Sequence, residues 1–180
     1  MSTVRMLRVR VQTVGFLVLM LFGMVATTAV ATPAAASNIY ADPQGRFAIA
    51  IGDGWHQARP DTRGVAALWV YGNNDAVFNI VVESVPSGTT SVDYAKANIA
   101  GVSSSDGYTE IDRRFITCAD QDAPLLDYTI INSDGDTERL QQVFVTDGKR
   151  TAYVLTLRTY TEDASAFRDQ VTAMVYSFSI

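Results

Sequence analysis

The sequence predicts an α+β fold: an antiparallel β-sheet of about six or seven strands sandwiched by helices. Three observations carry this. Short runs with period-two alternation recur through residues 45–160. Asp-Gly dipeptides at Asp134-Gly135 and Asp147-Gly148 sit between such runs and supply the positive φ that tight hairpins need. Two segments switch to helical spacing, one before the last four strands and one closing the chain.

Taken in order, residues 37–44 form a short polar lead-in, and Gly45 to Ile51 reads as a first strand. Gly52-Asp53-Gly54 breaks it, and Trp55 and His56 follow in the turn. Val65 to Tyr71 and Val77 to Val85 are the next strands, separated by Gly72-Asn73-Asn74-Asp75. Val92, Ala95, Ile99 and Val102 then fall on one face of a helix. Thr90 and Asp93 give that helix a reduced capping box and an acid for its dipole, and Ser103 to Gly107 ends it.

Four strands follow: Tyr108 to Cys118, Leu125 to Ile131, Leu140 to Thr146 and Thr151 to Tyr160. Their short connections make them antiparallel neighbours. Tyr153, Leu155 and Leu157 oppose Ala152 and Val154, and Leu140 and Phe144 oppose Val143 and Val145. Both faces are apolar, so both need cover. The closing helix has Glu162 and Asp163 at its start and an apolar stripe of Phe167, Val171, Met174, Val175 and Phe178.

The first 36 residues read as a signal peptide. Arg5, Arg8 and Arg10 precede an apolar run from Val14 to Val25, and Ala34-Ala35-Ala36 before Ser37 forms an A-x-A cleavage site. The run is short of the ~20 residues of a bilayer span, although Ala26 to Ala31 could lengthen it into an uncleaved anchor. The expected division is a leader over 1–36 and one domain over 37–180, secreted or periplasmic, with no stable membrane anchor once the leader is cleaved. Arg8 and Arg10 are separated by Val9, so there is no twin-arginine signal. Cys118, the sole cysteine, is too far from the leader to bear a lipid, leaves no internal disulfide, and is expected as a buried, inert thiol.

Charge narrows the partners. The chain has net charge −5, and loss of the three leader arginines takes it to −8. Such a surface disfavours nucleic acid and anionic lipid. Arg113-Arg114 is flanked by acids and is expected to be ion-paired.

The order of Gly45-Arg46-Phe47-Ala48-Ile49-Ala50-Ile51 into Gly54-Trp55, then Gln141-Gln142-Val143-Phe144-Val145 through Asp147-Gly148 into Tyr153-Val154-Leu155-Thr156, and a last helix with Ser177-Phe178, resembles the PsbP/Mog1-like superfamily. That superfamily includes exported LpqN-type and DcrB-type bacterial proteins. The resemblance covers roughly residues 39–180 and implies an α/β/α sandwich. Its members include a photosystem II extrinsic subunit, a Ran-binding factor and envelope proteins, with no shared catalytic set, so it assigns no functional residue.

The residues themselves assign no catalytic, cofactor or metal site. His56, the only histidine, could act as a base with Asp53 or Asp61 and a serine, but no nucleophile motif accompanies it. Asn132-Ser133-Asp134-Gly135-Asp136-Thr137-Glu138 resembles part of a calcium loop with its glycine too early and its closing glutamate missing. A soluble calcium-responsive subunit is thus one minor reading. Trp55, Trp69 and Tyr71 fit core better than a binding surface. The leading expectation is a non-enzymatic domain that binds a protein partner and needs no cofactor. The alternative is an envelope hydrolase using two carboxylates drawn from Glu110, Asp120, Asp122 and Asp127.

Overall fold

The computed structural model describes residues 38–160 and 164–180. The leader, its cleavage site, Glu162 and Asp163 lie outside the described residues. The elements are β1 Asn38–Ala41, β2 Ala48–Ile51, β3 Trp55–Ala58, β4 Val65–Tyr71, β5 Ala76–Ser84, α1 Ser91–Val102, β6 Thr109–Cys118, β7 Gln121–Ile131, β8 Thr137–Thr146, β9 Thr151–Tyr160 and α2 Arg168–Ser177.

Seven strands form one antiparallel sheet in the order β3-β4-β5-β9-β8-β7-β6. Helix α1 carries the chain from β5, in the middle, to β6 at the far edge. Three hairpins then bring it back until β9 closes against β5 from Ala76↔Thr159 to Ser84↔Thr151. The predicted fold class, an antiparallel sheet of about six or seven strands with helices, is the observed one.

Strand alternation sorts the apolar residues onto two faces as the sequence predicts. Val143, Val145, Tyr153, Leu155 and Leu157 join the core beneath α2, and Leu140, Phe144, Ala152 and Val154 join the core beneath α1. The closing stripe is buried throughout, Phe167 and Phe178 included. Helix α2 itself starts only at Arg168: Phe167 is its N-cap residue and offers no side-chain cap. In α1 the buried face is rotated from the predicted one. Ser91, Tyr94, Ala95 and Val102 are buried, whereas Val92 and Ile99 are half-buried. Tyr94 wins because its ring meets Phe144 edge-on at 6.2 Å while its hydroxyl donates to Glu83 Oε2 at 2.6 Å. The Thr90 cap is present: Thr90 Oγ1 accepts from the Asp93 N–H at 3.1 Å.

Two predictions for the N-terminal part need correction. The first strand is shorter than 45–51 and lies outside the main sheet. As β2 it pairs with β1, drawn from the segment read as a short polar lead-in, and its Ala48 exchanges backbone hydrogen bonds with Ser179. Phe47, Ile49 and Ile51 thereby cover the same sheet face as α2, with Phe47 5.6 Å from Phe178. The second correction is that Trp55 opens a strand, so His56 sits on edge strand β3 opposite Val70 and not in a turn. Gly54 permits this entry: its φ is +83°, and a Cβ there would lie 2.6 Å from the Tyr71 ring.

Candidate interaction groove beneath helix α2

Helix α2 turns Val171, Met174 and Val175 onto the sheet. Its next row, Arg168, Thr172 and Tyr176, is spaced by four residues and stays exposed. Across from this row stand Arg114 and Ile116 of β6. Between them is a cleft of about 120 Å³ floored by Leu125, Val143, Leu155 and Leu157, with the Gln141 amide at one end. Small-molecule pockets run to about 300–1,000 Å³, so this space suits an inserted side chain better than a metabolite. Its rim of tyrosine and arginine over an aliphatic floor is the composition of protein-interface anchors.

Behind Gln141 lies a buried ionic cluster. The Arg139 guanidinium donates to both Asp127 oxygens at 2.8 and 2.6 Å, and the Gln141 amide adds a third bond at 2.7 Å. Asp127 is 2% exposed. Its hydrogen bond holds the Arg139 pKa above the ordinary value.

The α1 side carries a smaller cleft of about 50 Å³ in which polar side chains stand among Val81, Val102, Ile130, Leu140 and Val154. Those polar groups are satisfied internally. Arg158 donates to Glu138 at 3.1 Å, Asn132 to the same oxygen at 3.0 Å, and Tyr128 to Gln142 at 3.2 Å. Burial pushes the Tyr94 and Tyr128 hydroxyls up and the Arg158 pKa down.

The carboxylates of the hydrolase reading do not come together. Asp127 is consumed by Arg139. Asp122 is five residues away on the same strand, so alternation places it on the opposite face. Asp120 is in the β6–β7 turn with φ 56°, and Glu110 pairs with Arg113. Nor does a His56 triad form. His56 is exposed and its side chain has no hydrogen bond among the described residues, and Asp61 accepts from Thr62. Asn132 Oδ1 accepts from the backbone of Asp134 and Asp136, closing the β7–β8 turn on itself. Among the described residues, no group of three or more His, Cys, Asp or Glu side chains is placed to hold a metal ion.

Other expectations hold. Arg113 pairs with Glu110 and Arg114 with Asp112. Trp55 and Trp69 are buried in the α2-side core. Tyr71 is half-buried, stacked edge-on against Trp55 and Phe167. Cys118 is buried, donates to the Val175 carbonyl at 3.4 Å, and has its pKa pushed up by burial to about 12. The groove residues Arg168, Thr172 and Tyr176 escaped sequence reading, although their four-residue spacing beside the apolar stripe was visible.

No protein-family profile matches the sequence, and no curated protein matches it. Solved structures do. LpqN of Mycobacterium tuberculosis, described as involved in cell envelope biogenesis, superposes with a TM-score of 0.61 at 12% identity over 74% of this chain and 82% of its own. The cyanobacterial PsbP protein CyanoP of Synechocystis gives 0.57 at 14% identity over 85% and 98%. A Pseudomonas aeruginosa protein of unknown function, PA94, gives 0.55 at 19% identity over 78% and 94%. The fold is therefore the PsbP/Mog1-like one that the sequence resembles.

Proposed function

We propose that this protein is an exported, non-enzymatic accessory domain of the cell envelope that binds a protein partner through the α2 groove. The observation that carries the reading is the groove rim: Tyr176 is 58% exposed on the same helix row as Arg168, over an aliphatic floor that a partner side chain can fill. The leader pattern supports export, and an envelope role suits the structural neighbour LpqN, described as involved in cell envelope biogenesis. Among the described residues no helix is long and apolar enough to cross a membrane. The hydrolase alternative has lost its carboxylate pair to separate strand faces and to Arg139.

The test is a strain lacking the gene, scored for detergent sensitivity and complemented with variants. Arg168→Glu with Tyr176→Ala should complement as poorly as no gene, while the protein stays folded and exported. His56→Ala should complement fully. Full complementation by the groove variant, or loss of it with His56→Ala, contradicts the reading.

A further inference from the structure

We propose that β6 is a homodimer edge, pairing antiparallel with β6 of a second copy to join two seven-stranded sheets into one. This goes beyond partner binding at the α2 groove, with which its paired residues share only Arg114, and its test reads self-association alone.

The two sheet edges are unlike. Edge strand β3 is four residues long, as edges usually are when they are protected. Edge strand β6 has ten residues and pairs only with β7 among the described strands. It exposes Phe115 at 60% and Ile111 at 48%. A long exposed edge that carries Ile111 and Phe115 between charged residues is a template for a strand of complementary charge.

The order of charges says what that strand is. The central stretch reads Glu110-Ile111-Asp112-Arg113-Arg114-Phe115, acids first and arginines after. Antiparallel pairing of two identical strands sets the acids of each against the arginines of the other. A two-fold axis perpendicular to the sheet must keep each side chain's face, so a residue pairs with itself at the centre. Centring on Asp112 sets two carboxylates together and Arg113 opposite Ile111, so no opposite charges meet within the regular ladder. Centring on Arg113 sets Asp112 opposite Arg114 of the second copy, twice. It also sets Phe115 beside the bulge residue Ile111 of the second copy, twice. Each central Arg113 already carries Glu110 as counter-ion. The second register is the one the chain supports.

Alternation keeps these pairs on consistent faces. Arg113 is opposite Leu126 and Phe115 opposite Pro124, so both lie on the α1 side; Asp112 and Arg114, opposite Asp127 and Leu125, lie on the α2 side. The ladder is short, because the irregularity between Glu110 and Asp112 ends regular pairing. The net negative charge of the chain opposes self-association, but this strand segment is locally neutral.

Sedimentation velocity of the protein purified after export tests the proposal at micromolar to hundred-micromolar concentration. The expected result is a concentration-dependent dimer that Phe115→Lys weakens at least tenfold. Charge reversal separates this interface from others. Asp112→Arg alone and Arg114→Asp alone should each abolish the dimer, and the Asp112→Arg, Arg114→Asp double variant should restore it. A monomer at all concentrations overturns the proposal. So does a dimer indifferent to Phe115→Lys, or a double variant no better than the singles where circular dichroism shows all variants folded.

Discussion

The Asp127 carboxylate is gripped by the Arg139 guanidinium through two hydrogen bonds, 2.8 and 2.6 Å long, two rungs apart on neighbouring strands β7 and β8. A carboxylate read from sequence as a candidate acid or base is thus part of the sheet's framework. Removing Asp127 leaves the half-buried Arg139 without its counter-ion, so Asp127→Ala should destabilise by about 1–3 kcal/mol in urea titration. Asp127→Leu combined with Arg139→Met should cost less than Asp127→Ala alone, because no charge is left unpaired. An Asp127→Ala cost below about 1 kcal/mol would show that the pair is wet and weak.

Phe167 closes the N-terminal end of α2, with ring centroids 5.0 Å from Tyr71 and 6.1 Å from Trp55. Its truncation empties a site shared by α2, β3 and β4. Phe167→Ala should cost roughly 3–5 kcal/mol. A midpoint unchanged from wild type would mean that the aromatic cluster collapses around the gap.

Asp42 gives the protein one source of acid sensitivity. Its carboxylate accepts from Arg46 Nε at 2.7 Å and Arg46 Nη2 at 2.8 Å, and from the Gln44 and Arg46 backbone N–H groups. The Arg46 side chain, with the backbone bonds, holds its pKa below the ordinary 3.8. A depressed carboxylate pKa stabilises fully above the unfolded value and stops stabilising as pH falls through the lower folded one. Urea stability of wild type relative to Asp42→Asn should therefore be constant above about pH 5 and shrink below about pH 4. A gap that widens towards low pH would reverse the assigned sign.

The elements that the sequence revealed are those whose own pattern decides their structure. Residues 151–160 alternate cleanly and pair on both edges, and the Phe167 to Phe178 stripe has one apolar face. The misreadings share a cause in long-range pairing. Strand β1 is Asn-Ile-Tyr-Ala with Ile39 exposed, and only its register with β2 makes it a strand. Strand β7 begins at Gln121, four residues earlier than predicted. Pro124 argues against a strand there, and the two-residue turn Ala119-Asp120 takes positive φ without a glycine. The groove was hidden because Arg168 and Arg114 are far apart in sequence and meet only when α2 folds back over β6.

Cys118 reports on opening of the core. Burial pushes the Cys118 pKa up to about 12, so the thiol stays protonated at pH 8, and burial excludes reagent besides. Native protein should resist a disulfide-exchange reagent for hours and take up one equivalent within seconds in 8 M urea. Immediate labelling of folded protein would place Cys118 at the surface.

Site-specific photo-crosslinking in the exporting cell tests the central claim most directly. A photoreactive residue replaces Thr172 on the groove rim or, as a control, Lys96 on the exposed face of α1. Thr172 should yield a discrete adduct with one other protein, absent from Lys96 and abolished by Arg168→Glu with Tyr176→Ala. Identical adducts from both positions, or a Thr172 adduct that survives the groove variant, would contradict the assignment of the α2 groove as the partner site.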